Sequence, residues 1–166
     1  IKMKSATKSQ MYDGTAITAQ TYEVSFKGVR INPMSENNKY FKLSTGDTLV
    51  IVPVNDGLTG LVDAGDFTND FDWDIKPATH KVNYHEYSLE KGAVTVTKRP
   101  VILTSNALTR TYDGTDIVSE GVTVSGNGFV GEEGATYTYE NFAAGSRTNA
   151  GTYANKFYYT LKSGTK

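Results

Sequence analysis

The 166-residue chain carries 17 basic and 18 acidic side chains, for a net charge of −1. That balance gives no electrostatic footprint for nucleic acid or for an anionic membrane surface, and no apolar run is long enough to span a bilayer. Cysteine is absent, which excludes disulfides, thiolate chemistry and zinc fingers.

No charged-then-apolar leader opens the chain. Its length corresponds to one or two domains, and its sixteen glycines and eleven tyrosines favour strands joined by turns. Ile1–Lys8 alternates weakly and predicts a first strand. Tyr12-Asp13-Gly14 predicts a turn, Asp tolerating turn geometry and Gly supplying positive φ without steric cost. Tyr22–Phe26 alternates, with Tyr22, Val24 and Phe26 on one face. Lys27–Lys39, which holds Pro33, Asn37 and Asn38, reads as an excursion packed onto the domain by Val29, Ile31 and Met34. Consecutive Leu49, Val50, Ile51 and Val52 in Thr48–Val54 predict a strand buried on both faces, and Asp56-Gly57 a turn after it. Thr68–Ile75 is a clean alternation, with Phe71, Trp73 and Ile75 facing one way and Asp70, Asp72 and Asp74 the other. Tyr84–Leu89 predicts a further strand, Glu90-Lys91-Gly92 a turn and Ala93–Thr97 another strand. No window carries helical periodicity with caps; a short helix or 3-10 turn fits only near Ala16 or inside the excursion.

Tyr12-Asp13-Gly14-Thr15 recurs as Tyr112-Asp113-Gly114-Thr115, 100 positions later. The match extends to Tyr22-Glu23-Val24-Ser25 against Val122-Thr123-Val124-Ser125. A second anchor aligns Ala64–Phe71 with Ala150–Phe157 at an offset of 86. The drop from 100 to 86 gives the first copy a 14-residue insertion, which falls on the excursion. The chain therefore reads as a tandem of two related units, residues 1–98 and 99–166, with Phe157, Tyr159 and Leu161 expected to point inward like Phe71, Trp73 and Ile75. The junction Thr95–Thr104 has no Gly/Ser linker, so one strand is expected to leave the first unit and open the second, with Pro100 at the hand-over; so short a junction predicts a stiff rod. At the offset of 86, Lys166 matches position 80, and counterparts of Lys81–Thr97 do not occur in the second copy. The second repeat is accordingly expected to be C-terminally truncated, with an unpaired sheet edge or groove that invites another chain.

With the copies aligned, the chain resembles the YDG/MBG-type repeats of large bacterial surface proteins and adhesins. The residues that carry the resemblance are 4–15, Val-Thr-Val-Thr-Lys-Arg-Pro-Val at 94–101, Thr-Tyr-Asp-Gly-Thr at 111–115, 122–137 and 149–157. The resemblance implies a mostly β fold of two tandem modules, β-grasp-like or Ig-like sandwich, arrayed in stalks outside the cell at the surface or wall. It brings no catalytic residue and no cofactor.

Asp63, Asp66, Asp70, Asp72 and Asp74 form the most site-like cluster, since calcium takes several oxygen ligands. Asp63, Asp66 and Asp70 are its metal candidates. The spacing is not that of an EF-hand, and the solvated face of a strand accounts for the same pattern. His80 and His85, five apart, read as ordinary exposed histidines rather than a metal pair. Asn127–Gly134 is glycine-rich but lacks the Lys-Ser/Thr of a phosphate loop and reads as a turn. Tyr139 and Tyr158 are the ligand-binding candidates, because outward aromatics stack on sugars or anchor a protein partner; cross-strand packing, which also favours tyrosine, is the reading preferred for them. Tyr12 and Tyr112 are expected to brace their turns from within the core. The residue types of a Lys–Asn or Lys–Asp isopeptide link are present without a pattern that selects a trio. No nucleophile motif occurs, and the expectation is not an enzyme but two stalk repeats of a longer surface protein, partnered by neighbouring repeats, with no nucleic acid and no membrane contact. The alternative is a module that binds a host glycan or protein through the insertion or exposed aromatics.

Overall fold

In the computed structural model, residues 1–36, 38–54 and 58–166 are described; the Asp56-Gly57 turn and Asn37 lie outside them. The chain divides into two units, Ile1–Lys98 and Arg99–Lys166. Both are built of short strands, and no helix among the described residues is long and apolar enough to cross a membrane.

Among its described residues unit 1 contains ten strands: β1 (Lys2–Ser5), β2 (Lys8–Met11), β3 (Tyr22–Phe26), β4 (Val29–Ile31), β5 (Tyr40–Lys42), β6 (Thr48–Pro53), β7 (Gly65–Asn69), β8 (Phe71–Lys76), β9 (Ser88–Glu90) and β10 (Gly92–Thr97). They form sheets of order β4-β3-β1-β9, β5-β6-β8 and β2-β10-β7. Alternation places every second side chain of the first two sheets on one apolar cluster: Met3, Tyr22 and Val24 with Phe41, Leu49, Ile51, Phe71, Trp73 and Ile75. Fully burying such a side chain is worth roughly 1.5–3 kcal/mol, so this cluster sets the register of both sheets. In the third sheet β10 lies between β2, parallel to it, and β7, antiparallel; Val94 and Val96 of β10 are buried, as are Tyr12, Ile17 and Ala19.

The one-faced patterns of Tyr22–Phe26 and Phe71–Ile75 are observed. Several expectations are corrected. Leu49–Val52 is not buried on both faces: Leu49 and Ile51 are buried while Val52 is exposed, because β6 carries the core on one side only. Thr68–Ile75 is not one strand. The chain changes sheet at Asp70, whose carbonyl accepts from Val54 N at 3.0 Å, because β7 pairs with β10 and β8 with β6. Ile1–Lys8 breaks at Ala6, where the amide is taken by Thr21 O at 3.0 Å. Tyr84–Leu89 forms a strand only at β9. Before it lies a 3-10 helix, Ala78–Asn83, in neither place where one was expected. The excursion supplies one edge strand, β4 on β3, and β5 directly after it pairs with β6. Phe41 and Leu43 are buried and Ile31 packs against the cluster, but Val29 and Met34 are exposed rather than packed. No strand runs through the junction, since β10 ends at Thr97 and the next strand begins at Val101; Pro100 has no backbone N–H to continue a ladder.

Unit 2 contains β11 (Val101–Ser105), β12 (Val122–Gly126), β13 (Ala135–Tyr139) and β14 (Phe157–Leu161), paired as β11–β12 and β13–β14. Leu103 stands opposite Val124 as Met3 stands opposite Val24. Tyr137 stands opposite Tyr159 as Ile51 stands opposite Trp73. Loop contacts match in the same way. Asn106 N donates to Gly121 O as Ala6 N does to Thr21 O, and Ile117 N to Arg147 O as Ile17 N does to Leu61 O. Both Tyr-Asp-Gly-Thr turns have glycine at φ 77°, and in each the Thr amide and hydroxyl donate to the Asp carboxylate.

Burial does not match. Gly134 alone is buried in unit 2. The inward expectation for Phe157, Tyr159 and Leu161 is corrected: Phe157 is half-buried beside Tyr137, ring centroids 6.0 Å apart, while Tyr159 and Leu161 are exposed. Tyr12 is 8% exposed but Tyr112 is 67% exposed and braces nothing from within. A two-stranded sheet without a second layer leaves its apolar face to solvent.

Candidate functional site

The aspartates are engaged one at a time. Asp66 accepts from the Thr95 hydroxyl at 2.7 Å. Asp70 pairs with Lys91 at 2.6 Å, and that hydrogen bond holds its carboxyl below the usual range. Asp72 and Asp74 accept from the amides of Trp73 and Ile75, and Asp63 is exposed and also engaged. Among the described residues no three His, Cys, Asp or Glu side chains are placed to hold a metal ion. His85 is exposed, whereas His80 meets Asp47 at 2.8 Å. The Tyr84 hydroxyl donates to the other Asp47 oxygen at 2.5 Å and lies 2.6 Å from the Thr45 hydroxyl. Tyr84 first, then His80, hold the Asp47 carboxyl low, while burial foremost raises the Tyr84 hydroxyl. This cluster was missed in the sequence because its members lie 33 to 39 positions apart. It pins the 3-10 helix to the β5–β6 turn.

Of the tyrosine candidates, Tyr158 is exposed. Tyr139 is bound inward, its hydroxyl accepting from Gly121 N at 2.7 Å.

A concavity lies in unit 2, a groove of about 390 Å³ lined by Ser105, Leu108, Arg110, Ile117, Thr152 and Asn155 among others. Its floor is held by the Asn155 amide, which donates to Asn106 O at 2.8 Å. Asn69 makes the matching bond to Ala6 O in unit 1, at 3.0 Å. One end is fixed by Arg147. Its backbone amide donates to Asp116 at 2.9 Å and its guanidinium to Ala154 O at 2.9 Å, with Phe142 beneath at 3.7 Å. No family model, curated protein or solved structure matches the chain. Two segments that line the groove, Leu108–Arg110 and Gly151–Tyr153, lie outside any strand. Thr109 and Thr152 bring hydroxyls to this lining, while the Asn155 amide and the Tyr153 hydroxyl are held by Asn106 O and Asn149 O.

Proposed function

We propose that the chain is a structural spacer: two tandem YDG/MBG-type repeats of a bacterial surface, adhesin-like protein, which hold a binding region elsewhere in that protein away from the cell. The observation that carries this reading is the doubled register. The β1–β3 and β11–β12 pairings differ by 100 at every position, and the β6–β8 and β13–β14 pairings by 86. Proteins that repeat one unit in series gain reach by adding copies rather than sites. The excursion supports the same reading, since its β4 adds to the edge of β3 and its Ile31 packs against the core of unit 1.

The test is binding of the intact chain to a broad panel of host glycans, mucins and matrix proteins. The spacer reading expects no saturable binding by a folded sample, with Trp73 emission as the check on folding. Saturable binding to one ligand class overturns it in favour of a glycan- or protein-binding module. That second reading draws on Tyr158, which is 62% exposed on β14, and Tyr158→Ala would then abolish the binding.

A further inference from the structure

We propose that Asn127 is a modification site: its side-chain amide is converted to a carboxylate through attack by the backbone nitrogen of Gly128, and Arg99 assists that attack. Asn127-Gly128 is the one Asn-Gly pair in the chain, and it lies in the turn that follows β12. Arg99 spans this turn. Its Nε donates to Gly128 O at 2.8 Å and its Nη2 donates to Asn127 O. The Asn127 backbone amide donates to Pro100 O at 2.9 Å, and Gly126 and Gly128, at φ 73° and 67°, set the bend on either side. Asn127 is exposed, as are Lys27 and Gly28 at the matching positions of unit 1. Among the described residues, neither the Asn127 side chain nor the Gly128 N–H has a hydrogen-bond partner.

An asparagine side chain reaches the next backbone nitrogen by closing a small ring. The step is held back by the side chain of the next residue and by the reluctance of that nitrogen to give up its proton. Gly128 has no Cβ, and nothing stands within 4 Å of where one would be. When the Gly128 N–H ionises, its negative charge is shared with Asn127 O, the atom to which Arg99 donates. A guanidinium hydrogen-bonded to the charged form of a group favours that form. The ionised nitrogen then bonds to Asn127 Cγ, the bond from Cγ to the side-chain nitrogen breaks, and that nitrogen leaves as ammonia with a proton from water. A second water opens the ring at either carbonyl. Opening at Cγ gives aspartate. Opening at the former backbone carbonyl gives isoaspartate, and the old carbonyl carbon becomes a free carboxylate within reach of Arg99. The net change is ammonia lost, water gained and one negative charge added. Asparagines elsewhere in unit 2 lack this combination: Asn106 and Asn155 precede Ala107 and Lys156, and their side chains are engaged at 2.7 and 2.8 Å.

The experiment incubates the intact chain in mildly alkaline buffer at body temperature and follows every asparagine by mass spectrometry of its peptides, with isoaspartate and aspartate separated by retention. Asn127 is expected to convert at least about tenfold faster than any other asparagine, from the unhindered glycine and the stabilised anion together. Arg99→Gln should slow the conversion about fivefold, since losing most of one pKa unit of anion stabilisation costs nearly a factor of ten in ionised nitrogen. Base-catalysed hydrogen exchange of the Gly128 amide passes through the same anion, so its rate, read by NMR, should fall by a similar factor. A merely structural role for Arg99 would move both rates the other way, because a loosened turn frees the backbone. Arg99→Lys keeps the charge and should retain more of both rates than Arg99→Gln. Conversion of Asn127 no faster than that of the other asparagines overturns the proposal. So does an Arg99→Gln chain that converts as fast as the parent or faster, an unchanged Gly128 exchange rate in that variant, or an Arg99→Lys chain no faster than Arg99→Gln.

Discussion

Asn69 is fully buried, and its amide nitrogen donates to the carbonyls of Ala6 and Ala19 at 3.0 and 2.8 Å. These bonds tie the breaks after β1 and before β3 to the point where the chain changes sheet. Asn69→Ala removes both donors and strands two carbonyls, so a loss of about 2–4 kcal/mol is expected, read as a lower urea midpoint in Trp73 fluorescence. A loss under about 0.5 kcal/mol would show the carbonyls to be satisfied without it. Nothing in Thr68-Asn69-Asp70 distinguishes this Asn from a turn residue, because its role depends on carbonyls 50 and 63 positions away. A second expectation concerns acid. The Tyr84 hydroxyl, then His80, depress the Asp47 carboxyl in the folded chain. A depressed folded value contributes stability that is present above the unfolded carboxylate value of about 4 and lost as pH falls through the lower folded value. Tyr84→Phe removes the largest cause, so its stability should fall less than that of the parent between about pH 5 and about pH 2.5. Urea midpoints at the two pH values test this, and equal falls would refute it.

At the scale of elements, β10 is the strand that closes unit 1, and Gly92 is where it passes closest to the chain it crosses. Gly92→Ala would force its Cβ into backbone atoms of Ala6 and Ser5, the nearest at 2.2 Å. Backbone yields less readily than a side-chain tip, so a cost of roughly 2 kcal/mol or more is expected, with faster hydrogen exchange in β2, β7 and β10. Unchanged exchange there would mean that β10 can shift without loss. The strands with one strongly apolar face, β3 and β8, were legible in the sequence, because period-two alternation is a local signal. β6 was legible as a strand but not in its burial, since four aliphatic residues in a row read alike whether one face or two is covered. The break at Asp70, the 3-10 helix and the split of the first strand were not legible. Each follows from hydrogen bonds to distant segments, as in Val54 N to Asp70 O.

For the molecule as a whole, strand pairing is alike in the two units where burial is not. The registers of unit 2 follow those of unit 1, yet unit 1 buries eleven side chains in one cluster and unit 2 buries Gly134 alone. Backbone pairing is local to two strands, whereas burial needs further elements over the same face, which in unit 1 include β5 through Phe41 and β9 through Leu89. Since opening free energies track buried apolar contacts, amides of β11–β14 should exchange on the order of a hundredfold faster than those of β1, β3, β6 and β8. That ratio corresponds to about 3 kcal/mol, the contribution of one or two large buried side chains. Urea unfolding should likewise give a far-UV signal that begins to fall before Trp73 emission does, because the one tryptophan reports unit 1. Equal exchange protection in the two units, or coincident transitions by the two probes, would show that unit 2 draws stability from something other than its own core.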